Sequence, residues 1–415
     1  MKRALLITLL LTALLTGCMN SVRLNDRGVV EAVAVDRTEE GLYTAVLQLA
    51  GQTQDGDKPP ASSELLQEGG GTLTDLFSRA AVKRGKSLFF GSCRLILIGE
   101  DAAREGVNEV LDFFNANHQI TPAVTVAVVK DKAENLLMAQ EKDPALTADR
   151  ILDIIQNARQ NGFAPESRLM DLVGAIHSDY SSGTLALVEL SGETAAASSS
   201  EAQGGSSRED PSKAQETFLP NGEKTDTPDT KSDQKESGKP EIQLAGSAVF
   251  SGDRLVHLLN PQQTRGLAWV KGKIKNTALS VADENLGIVA AVTNRVKARV
   301  IPERMGDTLV FHIAVEVHSG AYETVLNTGD RMTAEQKRYA AALQARDIRR
   351  EIESAIHATQ GQGYDPLGLT QLVKQRLPEY YQEHASDWET VFTGCGYNVV
   401  VGCEIDRSGV DNKLL

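Results

Sequence analysis

Cysteine, aromatic side chains and long apolar runs are all scarce in this chain of 415 residues. The four cysteines stand at positions 18, 93, 395 and 403. Cys18 closes a head segment taken up below. The other three are an odd number, which excludes a fully paired disulfide framework within one exported chain. Cys395 and Cys403 bracket one strand-like stretch, "CGYNVVVGC". At ~3.3 Å per residue they lie ~26 Å apart, beyond disulfide reach, and read as small core residues. Past the head, no apolar run approaches the length of a helical membrane span. An excess of basic charge is missing too, with 43 Lys and Arg against 56 Asp and Glu. That balance argues against nucleic acid as a partner and offers no positive patch for anionic headgroups.

The motifs of catalysis are also absent. "RGKS" (84–87) looks like the tail of a phosphate-binding loop, but Ala80 stands where the first glycine is required, and a helix stands where the strand should be. There is no G-x-S-x-G elbow and no H-E-x-x-H. The 7 histidines are scattered. His312 and His318 share parity on a strand yet lie ~20 Å apart along it. No residue is singled out as catalytic, cofactor-binding or metal-ligating, and the chain reads as a non-enzyme.

What is present begins at the head, "MKRALLITLLLTALLTGC". Lys2 and Arg3 are followed by an uncharged run from Ala4 to Leu15, which as a helix covers only ~18 Å of a ~30 Å hydrocarbon core. A positive start and a short apolar middle are the order of a secretory signal. Leu15-Thr16-Gly17-Cys18 resembles the bacterial lipobox, which implies that residues 1–17 are removed and that Cys18 receives a diacylglyceryl group on sulfur. That lipid is the only non-protein group expected. Two acyl chains hold a protein at a membrane where one binds only reversibly.

Three consecutive units follow, and the expected fold class is α+β or mixed α/β, each small domain a mixed or antiparallel sheet with packed helices. In the first (18–145), "GVVEAVAVD" and "LYTAVLQLA" form a hairpin, and "TLTDLFSRAAVKRG" a helix ending at Gly85. "SLFFGSCRLILIG" is a strand buried on both faces, "EDAAREGVNEVLDFF" a helix, "TPAVTVAVV" a strand and "KAENLLMAQ" a short helix. The second (146–280) opens with helical stripes at Ile151, Ile154, Ile155 and at Leu169, Leu172, Val173, then the strand "GTLALVEL". Its composition then changes. Residues 191–240 are rich in Ser, Gly and charge, with Phe218 as the only aromatic, and are expected to be disordered. "IQLAGSAVF" and "RLVHLL" resume a hairpin, so the stretch reads as an insertion between two strands of one sheet. Asn260-Pro261 marks a helix start. The third unit (281–415) has two long strands, a long helix opened by a Thr333–Gln336 capping box, a shorter helix stopped at Pro378 and the terminal strand "YNVVVGCEID".

"GSAVFSGDRLVHLLNPQQTRGLAWVKGKI" (246–274) and "DPLGLTQLVKQRLPEYYQEHASDWETVFTGCGYNVVVGCEIDRSGV" (365–410) resemble the Ger(x)C family. So do the earlier blocks "LNDRGVVEAVAVDRTEEG", "LFFGSCRLILIGEDAAREGVNEVLDFF" and "ITPAVTVAVVKDKAENLL". These are spore-germination lipoproteins, the C subunits of nutrient germinant receptors in endospore-forming bacteria. The chain departs from the family at Met19 and Asn20, where Trp-Asp is usual, and at Ala116, where Arg is common. The resemblance implies a three-domain architecture and a non-catalytic role in assembly or signal relay. It also implies two integral-membrane partners, the A and B subunits, and a lipid tether at Cys18 on the outer face of the spore inner membrane. It leaves open which subunit contacts the germinant. The alternative is an extracytoplasmic solute-binding lipoprotein that hands a small ligand to a transporter.

Overall fold

The computed structural model describes residues 27–51, 63–139, 147–178, 182–191, 241–327 and 332–406. Cys18 with its lipobox and the stretch 192–240 lie outside these residues. Within them no helix is long and apolar enough to cross a membrane.

A nine-stranded sheet occupies the first half. Its path runs β3 (Glu64–Gly70), β2 (Tyr43–Leu49), β1 (Arg27–Arg37), β5 (Leu95–Gly99), β6 (Thr125–Val129), β7 (Gly183–Ser191), β8 (Glu241–Ser251), β9 (Arg254–Leu259), with β4 (Ser87–Phe89) pairing β1 off the path. β1 and β2 form the expected antiparallel hairpin, while β1, β5, β6 and β7 run parallel. Parallel strands need covered faces. The register meets that need: Val33 and Val35 lie beside Ile96 and Ile98 on one face, and Ala32 and Ala34 beside Leu95 and Leu97 on the other. All eight are buried. The strands of the first two expected units thus share one sheet, because the crossover after β6 returns the chain parallel and adjacent to it. β7 and β8 are neighbours, as an insertion between two strands requires.

Two single elements expected from the sequence are split in the structure. The run 87–99 breaks into β4 and β5 because Phe90 leaves the sheet. It joins Phe77, Phe113 and Phe114 in an edge-to-face cluster, and its N–H donates to Gln119 Oε1 at 2.8 Å. Phe77 comes from α1 (Leu73–Arg84), which Gly85 closes in the left-handed region. The helix expected after β5 becomes α2 (Glu100–Glu105) and α3 (Asn108–Ala116), interrupted at Gly106, whose φ of 136° no helix accommodates. α4 (Ala133–Met138), α5 (Thr147–Gln160) and α6 (Leu169–Ile176) follow as expected.

α7 (Pro261–Val270) begins at Asn260 with Pro at its first position and a full capping box to Gln263. A second sheet then runs β10 (Ala278–Asp283), β11 (Gly287–Met305), β12 (Thr308–Leu326), β13 (Gly396–Ile405), with β13 parallel to β12 and the rest antiparallel. α8 (Ala334–Gln360) opens at the Thr333–Gln336 capping box and lays Ile348, Ile352 and Ile356 against Ile313, Val315 and Val317 of β12. The helix expected to stop at Pro378 does so as α9 (Leu369–Arg376), and a further short helix, α10 (Pro378–Glu383), begins there. Proline ends the first by lacking an N–H and starts the second, where that N–H is not needed. α11 (Trp388–Thr393) leads into β13.

Candidate functional site

Cys395 stands just before β13 and Cys403 within it, and with Cys93 they are free thiols. His312 and His318 both lie on the face of the second sheet turned away from α8. His318 Nδ1 is 3.3 Å from Glu404 and 4.0 Å from Asp406, and the ligand-type atoms of the three lie within 4.8 Å of one another. A guanidinium can only donate, and Arg295 Nη2 lies 3.2 Å from His318 Nε2. The ring proton therefore stands on Nδ1, facing Glu404, and no lone pair is offered to a metal there. The group is a hydrogen-bonded ladder across β11, β12 and β13.

A different place gathers unspent charge. A cavity of about 610 Å³ lies between the end of α5, the start of α6 and β7, one side of α7 and the loop at Pro366–Gly368. It is built by a short basic strap, Lys271-Gly272-Lys273-Ile274-Lys275. Gly272 takes a left-handed φ of 60°, and the N–H groups of Gly272 and Lys273 close back on Trp269 and Ala268 of α7. The chain then extends, so Ile274 turns into the core while Lys273 and Lys275 stay outward. The strap is fastened opposite: Lys275 and Asn276 donate backbone N–H groups to Gln160 O at 3.1 and 3.3 Å. A β-carbon on Gly162, itself at φ 82°, would lie 2.7 Å from the Ile274 side chain, so the two walls meet closely.

Charge in the cavity is unevenly matched. Glu166 accepts from Arg159 at 2.7 Å and lies 3.2 Å from Arg168, one carboxylate between two guanidiniums. The ammonium groups of Lys271, Lys273 and Lys275 make no hydrogen bond or ion pair with a described residue. Lys271, at the C-terminal cap of α7, lines the cavity with an exposed side chain. The protein packed around its ammonium lowers it below the usual lysine range, with Asp365 opposing the shift and Lys273 adding to it. Asp365 is itself buried and spends its carboxylate on the N–H groups of Leu369 and Thr370 at 2.8 and 2.7 Å, capping α9. The rest of the lining includes the Asp171 carboxylate and a Ser247–Thr264 hydroxyl pair at 2.8 Å, and is apolar at Leu267, Ala268 and Leu367.

Composition hid this basic cavity. A net charge of −13 describes the whole chain, whereas Arg159, Arg168 and the strap are brought together across more than a hundred positions by the crossover into β7. The one local signal was K-x-K-x-K, ending just beyond the α7 helix.

Comparison with known proteins agrees along nearly the whole chain. Residues 20–190 match the family model described as the spore germination protein N-terminal domain. Residues 245–409 match that of the spore germination B3/GerAC-like C-terminal domain. Spore germination protein KC of Bacillus subtilis (strain 168) is 23% identical over 94% of this chain and 91% of its own length. Spore germination protein GerQC of Bacillus cereus is 18% identical over 99% of each. The crystal structure of the GerBC protein superposes with a TM-score of 0.53 at 15% identity, covering 90% of this chain and 96% of that one, a likeness of fold. The two matched regions part where β7 gives way to β8, so β8 and β9 belong in sequence to the second and in space to the first sheet. The chain belongs to the Ger(x)C family of spore germination proteins.

Proposed function

We propose that the protein is the lipid-anchored, non-catalytic subunit of a nutrient germinant receptor in the spore inner membrane, acting in assembly or signal relay. The observation that carries this reading is the pair of family matches, in order, over residues 20–190 and 245–409. The lipobox ending at Cys18 supports a tether, and the lack of a membrane-crossing helix among the described residues leaves attachment to lipid and to partners. On this reading Cys18 carries diacylglycerol in the outer leaflet, and the partners are the integral-membrane A and B subunits. The alternative, delivery of a solute to a transporter, draws little from the fold: a nine-stranded mixed sheet and a four-stranded sheet are not two repeated lobes around a cleft.

The experiment is replacement of Cys18 by alanine in the native host. The expected result is loss of the protein from the spore membrane fraction and a defect in nutrient-triggered germination, while intact protein co-purifies with two multi-spanning proteins. Normal germination with fully soluble protein overturns the anchoring. Co-purification with a transporter and no receptor subunits favours the alternative.

A further inference from the structure

The lysine-lined cavity is large for a structural void. About 300–1,000 Å³ is the range of pockets that hold small organic molecules, and this one, at about 610 Å³, falls inside it. Its walls combine apolar side chains with a few convergent polar groups, the usual make-up of such a site.

The charges say what would sit there. Glu166 is engaged by two arginines, and the Asp365 carboxylate is turned onto the start of α9. Neither forms an ion pair with Lys271, and the lining sets Arg159, Arg168, Lys271, Lys273 and Lys275 against Glu166 and Asp171, an excess of positive charge. An anion seated among these cations gains Coulomb energy that the cavity walls screen less than open water does. A lysine is a point charge with rotatable donors, suited to a carboxylate head; Leu267, Ala268 and Leu367 offer an apolar wall for the body behind it.

We propose that this cavity binds a small organic carboxylate, with its anionic head on Lys271 and its apolar portion against α7 and Leu367. Lys273 and Lys275 at the rim raise the local concentration of anions and do not select among them. The lowered ammonium affinity of Lys271 for its proton accompanies the site; ligand contact raises it again.

The test uses the full chain and needs no knowledge of the natural ligand. Lysine acetylation by an activated acetate ester is followed residue by residue by mass spectrometry. The probes are benzoate, its neutral counterpart benzamide and inorganic phosphate, each at matched ionic strength. At benzoate about ten times above its dissociation constant, the rate at Lys271 falls roughly tenfold. The remote, exposed Lys83 serves as the internal standard and keeps its rate. Benzamide leaves both rates unchanged. In Lys271→Met, benzoate no longer raises the unfolding temperature; in Lys271→Arg, which restores the charge, part of the increase returns. Equal rates with benzoate and with chloride, or equal slowing at Lys83, overturn the proposal. Protection by phosphate but not by benzoate overturns the carboxylate assignment.

Discussion

Gly266 of α7 faces the backbone of Glu351 in α8 so closely that a β-carbon there would lie 2.2 Å from the Glu351 carbonyl oxygen and 2.8 Å from the β-carbon of Ala355. The same crossing is sealed by side chains. Arg265 grips Glu351 with two nitrogens, Trp269 Nε1 donates to Glu351 Oε2 at 2.9 Å, and the Arg265 guanidinium lies 4.5 Å from the centre of the Phe163 ring.

Two substitutions test that crossing. Gly266→Ala must move a helix backbone, since the obstructing atom is a carbonyl oxygen, and is expected to cost at least about 1–3 kcal/mol. Glu351→Ala strands a mostly buried Arg265 and an indole N–H together, a loss of about 3 kcal/mol, with the pair's remaining exposure keeping it at the low end. Denaturant titration of each variant gives the figures. A stability equal to that of the unaltered chain would show that α7 and α8 can separate freely.

The second prediction concerns pH. Asp36, at the end of β1 and 4% exposed, accepts from the N–H groups of Ala133 and Glu134 at 2.8 Å each and so caps α4. Burial raises its pKa to about 6 despite those two bonds. A carboxyl with a higher pKa folded than unfolded favours the folded state when protonated. Its contribution is therefore greatest below pH ~4, falls through pH 4 to 6 and is level above, a span of about 3 kcal/mol. In Asp36→Asn that slope should vanish. Thermal unfolding of both proteins across pH 4 to 7 gives the comparison, and parallel curves would remove Asp36 as the cause.

Gly99 explains why Asp36 can stand there, since a β-carbon at position 99 would fall 1.9 Å from Asp36 Oδ1. Gly99→Ala should displace the carboxylate from α4. Its melting curve should then lose the slope between pH 4 and 6 as that of Asp36→Asn does.

Thiol chemistry supplies a third check. Burial pushes Cys93 and Cys403 up to about 12 and Cys395 to about 11, so little thiolate exists at neutral pH. With Cys18 replaced by serine, the buried Cys93 and Cys395 of the native chain should react with a disulfide reagent only as fast as it opens, the half-buried Cys403 faster, and all three at once in denaturant. Rapid labelling of Cys93 or Cys395 under native conditions would contradict their burial.

The stretch between β7 and β8 gives the fourth. Ser191 Oγ donates to Glu241 O at 3.0 Å across a separation of 50 positions, so the chain leaves and re-enters at one point. Deleting the residues between and closing with a short turn should leave a single cooperative unfolding transition. A lost or split transition would show that the deleted stretch is structural.

These tests also mark where the sequence was readable. Capping at Thr333 and Asn260 was legible because the partners, Gln336 and Gln263, are three residues away. The hairpin of β1 and β2 was legible through its β-branched runs. β3 and β10 were not. Glu64–Gly70 is mostly polar, and Ala278–Asp283 buries only Leu279 and Val281, so both depend on a neighbouring strand to become strands at all. The cavity was invisible for a further reason, because its charges meet only after the sheet has formed.

α8 serves two sheets at once. Ile348, Ile352 and Ile356 pack on the second, while Ala355, one residue before Ile356, is buried with Val249 and Leu259 of the first and with Leu267 of α7. A push delivered to either sheet is borne by the same rod. Neither sheet can shift at this crossing without unpacking α8, so a change felt by one is felt by the other.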